Sequence, residues 1–193
     1  MLDNLEKYKV ILASGSPRRR ELMAGLGVNY EVRILPDVDE SYPDTSQGEE
    51  IPLYIAKEKA DAYIPMMQPD ELIITADTIV WLDGEVLGKP RDREDALQML
   101  RTMSGRTHEV FTGVCITTTD WQRSFTAQTE VRFATLSEDE IIYYVDNFKP
   151  MDKAGAYGVQ EWIGFIGVEN ISGSYYNIMG LPVQKLYREL LKV

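Results

Sequence analysis

The stretch from Val10 to Gly27 constrains the fold more than any other, because it has the pattern of a strand, a tight turn and a helix. The apolar run Val10–Leu12 is typical of a short buried strand. Ser16 is a favourable N-cap, and Pro17 suits the first position of a helix. Gly27 is typical of a helix end. We therefore predict a strand–turn–helix unit at this end of the chain.

Three consecutive arginines, Arg18 to Arg20, fall in the first turn of this predicted helix. A helix N-terminus carries partial positive charge, so each exposed arginine there is unfavourable by roughly a few tenths of a kcal/mol. Residues that break a local rule often serve a site. Free backbone N–H groups and guanidinium groups together bind phosphate well. The alternative is a solvated charge run in which Arg19 or Arg20 pairs with acids elsewhere.

The rest of the chain mixes strands with helices. Strands are predicted at 30–34, 72–76, 79–82, 85–87, 108–119 and 124–134, and helices at 50–64, from Asp92 to Gly105, after Ser137 and from Pro182. Asp83-Gly84 marks a hairpin, and Ser137 with Glu140 forms a capping box. This order favours an α/β or α+β fold with a mixed sheet. The 193 residues suffice for one sizeable domain or two small lobes, and we expect one domain over 1–193.

Composition excludes several functional classes. The net charge of −11 disfavours broad binding to DNA or RNA, although a local basic pocket for a small phosphorylated ligand remains compatible with it. A single histidine, His108, excludes a multi-histidine metal site and weakens any Ser-His-Asp proposal. Cys115 lies in an apolar run and is expected to be an inert core thiol. With neither a membrane span nor a signal peptide in the sequence, these features lead us to expect a cytoplasmic protein without membrane contact.

Asp77 is the carboxylate that most resembles a catalytic group. It directly follows the predicted strand 72–76, and ligands of open α/β sheets bind at the carboxyl ends of strands. A carboxylate there can hold Mg²⁺ or accept a proton from water. The alternative is an ordinary N-cap or turn aspartate, but the extended residues that follow Asp77 argue against a cap.

Other charged residues suit a polyphosphate and a metal. The acidic cluster Asp37–Glu40 offers oxygen ligands for a divalent cation, or is a solvated loop. Lys89 lies between Gly88 and Pro90 and suits a phosphate contact, as does Lys59 on its helix, although both are also compatible with surface lysines.

The segment from Asp152 to Gln160 has the composition of a ligand-binding loop. Its small residues allow a ligand to approach the backbone closely. The Gln160 amide offers one donor group and one acceptor for a base edge. A structural pair between Asp152 and Lys153 and a surface glutamine are the alternatives.

Several motifs, in order along nearly the whole chain, resemble the Maf-like nucleoside triphosphate pyrophosphatases. They are Ser14-Gly15-Ser16-Pro17-Arg18-Arg19-Arg20-Glu21-Leu22, Val38-Asp39-Glu40, Ala76-Asp77-Thr78, Gly88-Lys89-Pro90, Ser104-Gly105, Thr112-Gly113-Val114, the segment 152–160 and Gly180-Leu181-Pro182. The resemblance implies a mixed-sheet α/β fold with two lobes around a cleft, similar to the inosine triphosphate pyrophosphatases. It also implies hydrolysis of a nucleoside triphosphate to the monophosphate and pyrophosphate with a divalent metal, Mg²⁺ or Mn²⁺.

The resemblance also implies roles for individual residues. Asp77 is implied as the proton acceptor, and Glu40 as a second catalytic carboxylate, with both as metal ligands. Substrate contacts are implied for Ser14, Arg18, Arg19, Lys59, Thr78, Lys89, Lys153 and Gln160. Arg18, Thr78 and Gln160 match the branch of the family that prefers dTTP and UTP.

Two rival functions stay open at this point. One is a pyrophosphatase for modified or purine nucleotides such as 7-methyl-GTP, whose branch tends to have tryptophan at the position of Arg18. The other is a nucleotide-binding regulator of septum formation. We also expect a homodimer, for which the glycine-rich region 164–180 and the apolar C-terminal helix are candidate surfaces.

Overall fold

The computed structural model describes residues 2–36 and 38–193, and this part of the chain contains seven strands and seven α-helices. The strands are β1 (Lys9–Leu12), β2 (Glu31–Val32), β3 (Glu71–Leu82), β4 (Glu85–Leu87), β5 (Thr107–Thr117), β6 (Gln122–Phe133) and β7 (Val168–Ser172). The helices are α1 (Pro17–Gly25), α2 (Glu50–Tyr63), α3 (Arg93–Met103), α4 (Glu138–Phe148), α5 (Trp162–Gly167), α6 (Tyr175–Ile178) and α7 (Val183–Leu190). Within the described residues, no helix has both the length and the apolar character needed to cross a membrane.

The strands form one mixed sheet in the order β2-β1-β3-β5-β6-β7, with β4 paired to β3. Strand β1 is parallel to both β2 and β3. Strand β4 is antiparallel to β3, and β7 is antiparallel to β6. The mixed α/β fold predicted from the sequence is therefore confirmed.

Local signals in the sequence fix the starts of three helices and the turn of one hairpin. The side chains of Ser16, Asp92 and Ser137 cap α1, α3 and α4, each accepting a hydrogen bond from a backbone N–H in the first turn. Glu140 completes the capping box of α4. The hairpin between β3 and β4 turns at Asp83-Gly84, where both residues have positive φ, as a tight hairpin turn requires. These predictions are confirmed. They could be made from the sequence because each feature depends on residues that are neighbours in the chain.

Two strand predictions were wrong in extent. The strand at 72–76 was expected to end at Asp77, but β3 continues to Leu82 and Asp77 lies within it. Its parallel neighbour β1 ends first, since their last pair joins Leu12 to Ile74 and the chain then turns into α1. Asp77 therefore lies beyond the carboxyl end of β1. The strand expected at 30–34 is reduced to the two residues of β2, which pair only with the end of β1.

One compact unit comprises the described residues of 1–77, 112–127 and 180–193. Within it, helix α2 packs closely on the sheet. The Thr75 hydroxyl on β3 donates to the Ala56 carbonyl at 2.6 Å, and a Cβ on Gly113 of β5 would lie 2.3 Å from the Pro52 carbonyl oxygen. Cys115 lies in the same core, and its burial raises the pKa of the thiol to about 11. The burial of Cys115 agrees with the predicted core thiol. The position of α2 is set by its close backbone packing on the sheet.

The second compact unit comprises residues 78–111 and 128–179. Helices α3 and α4 are joined by an ion pair of 2.6 Å between Arg93 and Asp146. His108, Phe133 and Tyr157 pack edge to face in its core. Burial lowers the pKa of His108 to about 4, which keeps this ring neutral at pH 7. Helices α5 and α6 and strand β7 occupy much of the glycine-rich region between 155 and 180, which the sequence left unassigned.

Candidate active site

The start of α1 is organised by two serines and one arginine. Ser16 caps the helix by accepting from the Arg19 backbone N–H. The Ser14 hydroxyl is buried, and its oxygen accepts from the Ser16 N–H at 3.2 Å and lies 3.5 Å from an Arg19 guanidinium nitrogen. Arg18 follows Pro17 and is partly buried. The predicted anion-binding turn therefore has an ordered backbone.

Arg19 holds two backbone segments that meet at this turn. Its Nε donates to the Gly180 carbonyl at 2.7 Å, and a terminal nitrogen donates to the Ala76 carbonyl at 2.9 Å. Burial lowers the pKa of Arg19, and the nearby charge of Asp77 acts in the opposite direction. The sequence predicted a phosphate contact here. The structure adds a contact that fixes β3 directly before Asp77, which no local pattern in the sequence indicates.

Lys59 joins the two predicted catalytic carboxylates. Its ammonium nitrogen lies 2.8 Å from Asp77 Oδ1 and 2.8 Å from Glu40 Oε1. The side chains of Lys59 and Asp77 are only 15% and 14% exposed, whereas that of Glu40 is 56% exposed. Attraction between opposite charges is stronger at partly buried positions than in bulk water. The three side chains predicted from separate parts of the sequence therefore form one cluster.

The segment leading to Glu40 is anchored at its base by α2. The Tyr63 hydroxyl donates to the Arg33 carbonyl at 2.9 Å and accepts from the Leu35 N–H at 3.0 Å. The Arg33 guanidinium pairs with the buried Glu71 and lowers the pKa of that carboxyl. Tyr63 lies one turn after Lys59 on the same helix. Helix α2 therefore contacts both the base of this segment and Glu40 itself.

Among the described residues, Glu40 and Asp77 are the predicted carboxylates that could hold a metal. Residues 2–36 and 38–193 contain no group of three or more His, Cys, Asp or Glu side chains able to hold a metal. Asp37 of the predicted acidic cluster lies outside the described residues, and Asp39 accepts two hydrogen bonds from Ser41, which lower its pKa. Glu40 and Asp77 do converge on one cationic centre. Because Mg²⁺ is usually held by one or two carboxylates together with water and substrate phosphates, this pair fits a metal that binds with a triphosphate.

The second unit contains the other predicted site residues, and two of them lie on hydrogen-bonded segments. The Gly155 N–H donates to the Gly88 carbonyl at 3.0 Å, which places the segment of the exposed Lys89 beside that of Lys153. Gly155 has a φ of 67° and packs against Val80, where a Cβ would lie 2.9 Å from a methyl carbon. This position therefore requires glycine both for its backbone conformation and for its close approach.

Lys153 is buried between two carboxylates. Its ammonium lies 2.8 Å from Asp152 Oδ1 and 3.2 Å from Glu161 Oε1. The Asp–Lys pair that the sequence left as a structural alternative is thus present. Glu161 was not singled out from the sequence, although it directly follows the predicted Gln160.

Thr78 and Gln160 are the residues of this unit that match the branch preferring dTTP and UTP. Thr78 follows Asp77 on β3 and is partly buried. The Gln160 amide oxygen is buried, and no residue of the described part of the chain donates a hydrogen bond to it. A buried acceptor without a donor is unfavourable, so this amide is suited to a donor from a ligand.

Comparison with known proteins places the chain in a family. The model of a family described as Maf-like protein matches residues 9–193. The chain belongs to the Maf-like protein family. Three curated relatives of this Maf-like protein are each named dTTP/UTP pyrophosphatase. They are from Bacteroides thetaiotaomicron (71% identical over 193 residues, all of both chains), Bacteroides fragilis (70% over 190 residues, 98% of each chain) and Flavobacterium psychrophilum (50% over 186 residues, 96% of this chain and 95% of the relative).

Solved structures similar to this Maf-like protein include two Ham1 proteins. That from Staphylococcus aureus has a TM-score of 0.53 at 18% identity and covers 94% of this chain and 99% of its own. That from Coxiella burnetii has a TM-score of 0.50 at 15% identity and covers 96% and 100%. At such identities the likeness concerns the fold alone, and it agrees with the mixed α/β fold described above.

Proposed function

We propose that this Maf-like protein is a hydrolase that converts dTTP and UTP to their monophosphates and pyrophosphate. The observation that carries the proposal is the full-length identity of 71% to a protein named dTTP/UTP pyrophosphatase. The cluster of Asp77, Lys59 and Glu40 supplies a chemistry that fits this activity.

Asp77 is the proposed general base. Its carboxylate takes a proton from a water molecule, and the water oxygen attacks the α-phosphorus of the nucleotide. The bond from the α-phosphorus to the bridging oxygen then breaks, and pyrophosphate leaves with that oxygen. Lys59 holds Asp77 in a fixed orientation through the 2.8 Å contact. Catalysis then depends mainly on positioning and on electrostatic stabilisation.

A divalent cation is part of the proposal. Oxygens of Glu40 and Asp77 would hold Mg²⁺ or Mn²⁺ together with the triphosphate, and the cation would neutralise charge on the phosphates. The cationic and polar side chains proposed to bind the triphosphate are Ser14, Arg18, Arg19, Lys59, Lys89 and Lys153. Arginine forks and lysine ammonium groups both suit phosphate oxygens.

Gln160 is proposed to select the base, and Thr78 to contact the substrate. Thymine and uracil share O2, N3–H and O4, so one amide can serve both. The buried Gln160 oxygen supports this assignment, since it can accept from N3–H. Cytosine has no hydrogen on N3, so at that position it offers this acceptor no donor.

A panel of nucleoside triphosphates with Mg²⁺, scored for pyrophosphate release, tests the proposal. We expect kcat/KM for dTTP and UTP to exceed that for dCTP by at least about tenfold, because loss of one hydrogen bond to a buried group costs about that factor. We also expect it to exceed kcat/KM for 7-methyl-GTP. A higher kcat/KM for 7-methyl-GTP would contradict the proposed substrate. Nucleotide binding without turnover of any substrate would favour a regulator instead.

Other features predicted from the sequence stay predictions. They are the single domain over 1–193, the cytoplasmic location, the homodimer and the absence of nucleic-acid partners.

A further inference from the structure

The segment that carries Gln160 is a tight turn. The Glu161 backbone N–H donates to the Gly158 carbonyl at 2.9 Å, which places Val159 and Gln160 at the two central positions of a four-residue β-turn. Helix α5 begins directly after the turn, and a Cβ on Gly164 would lie 1.8 Å from the Val159 carbonyl oxygen. The backbone of the turn is therefore closely packed on the side of α5.

The side chain of Glu161 folds back over this turn. A Cβ on Gly158 would lie 2.9 Å from Glu161 Cδ and 3.0 Å from its Oε2. One carboxylate oxygen of Glu161 contacts the Lys153 ammonium, and the other accepts from the Tyr144 hydroxyl. The Glu161 carboxylate thus links the last residue of the turn to Lys153 and to Tyr144.

Tyr144 anchors this arrangement to α4. The residue is fully buried, and its hydroxyl oxygen accepts from the Gly158 N–H at 3.0 Å while its proton is donated to Glu161. Burial, reinforced by the Glu161 carboxylate, raises the pKa of Tyr144, so the hydroxyl keeps its proton at neutral pH. The same hydroxyl therefore contacts the first and last residues of the turn.

We infer that Glu161 and Tyr144 are positioning residues that set base selectivity by holding the Gln160 amide in place. The inference rests on the proposed function, in which Gln160 reads thymine and uracil. The Gln160 oxygen has no hydrogen-bonding partner in the described residues, so its position depends on the turn that carries it. When that turn loosens, the amide can rotate or find another donor, and discrimination between bases falls.

The ratio of kcat/KM for dTTP to kcat/KM for dCTP is the measurement that tests this inference. The ratio does not depend on the fraction of enzyme that is folded. A variant that only loses folded enzyme therefore keeps the ratio of the unmodified protein. We expect Tyr144→Phe and Glu161→Gln each to lower the ratio by about tenfold, since each weakens hydrogen bonding within the network. The matched control is Tyr143→Phe, whose side chain is exposed and neighbours Tyr144, and it should keep the ratio of the unmodified protein.

A double-mutant cycle shows whether the effect passes through Gln160. Gln160→Ala should lower the ratio as well, and adding Tyr144→Phe to it should lower the ratio no further. If Gln160→Ala lowers the ratio but Tyr144→Phe and Glu161→Gln do not, the inference is wrong while the proposed function stands. Additive effects in the double variant would also overturn it. If the unmodified protein shows no preference for dTTP over dCTP, both the proposed base recognition and the inference fail.

Discussion

Replacing Asp77 with asparagine is expected to lower kcat for dTTP on the order of a thousandfold, while the Kd for the nucleotide changes only a few-fold. The amide keeps the shape of the side chain but cannot accept a proton from water. Asp77 is only 14% exposed and lies 2.8 Å from Lys59, so its side chain is held in place within the cluster. Steady-state kinetics and equilibrium nucleotide binding, both with Mg²⁺, check the two halves of this expectation.

Asp44→Asn is the matched control, because Asp44 is an exposed aspartate of the same unit. It should retain the turnover of the unmodified protein. Turnover that stays unchanged in Asp77→Asn would remove Asp77 from the role of base. Equal loss of binding and turnover would assign it to substrate binding instead.

Lys59→Met is expected to lower kcat/KM on the order of a hundredfold or more, because removal of one preorganised charged donor commonly has that effect. Methionine retains an unbranched stem, so packing along α2 changes little. The ammonium group that contacts both Asp77 and Glu40 is lost, and the two carboxylates are left facing one another without their shared cation. Like charges in such a site repel and loosen the geometry.

Lys57→Met on the same helix serves as its control, since Lys57 is exposed and two residues away. Kinetic constants for dTTP in both variants, together with thermal unfolding to compare their folded stability, make the test. Matching kcat/KM values for the two variants would contradict a role for Lys59 in the site.

The parts of this molecule that were predicted from sequence depend on local chemistry. Ser16, Asp92 and Ser137 cap their helices because a short polar side chain reaches the backbone of its own first turn. The Asp83-Gly84 turn follows from the backbone conformations those residues tolerate. Such signals lie within a few residues of the chain, and no tertiary contact is needed to interpret them.

The parts that were missed depend on tertiary contacts. Strand β3 continues through Asp77, past the point where its partner β1 ends. No local pattern around Asp77 predicts where the pairing of β1 with β3 stops. Arg19 donates hydrogen bonds to the carbonyls of Ala76 and Gly180, which lie 57 and 161 positions further along the chain. Tyr144 was not singled out from the sequence, and its contacts with Glu161 and Gly158 place it beside the proposed base-reading turn.

Hydrolysis of dTTP in water enriched in oxygen-18 tests the central claim most directly, because the label marks the phosphorus atom that the water attacks. Attack on the α-phosphorus, with Asp77 as the base, should place the label in dTMP and leave the released pyrophosphate unlabelled. Label in pyrophosphate, or release of orthophosphate with dTDP, would contradict the proposed reaction at this site.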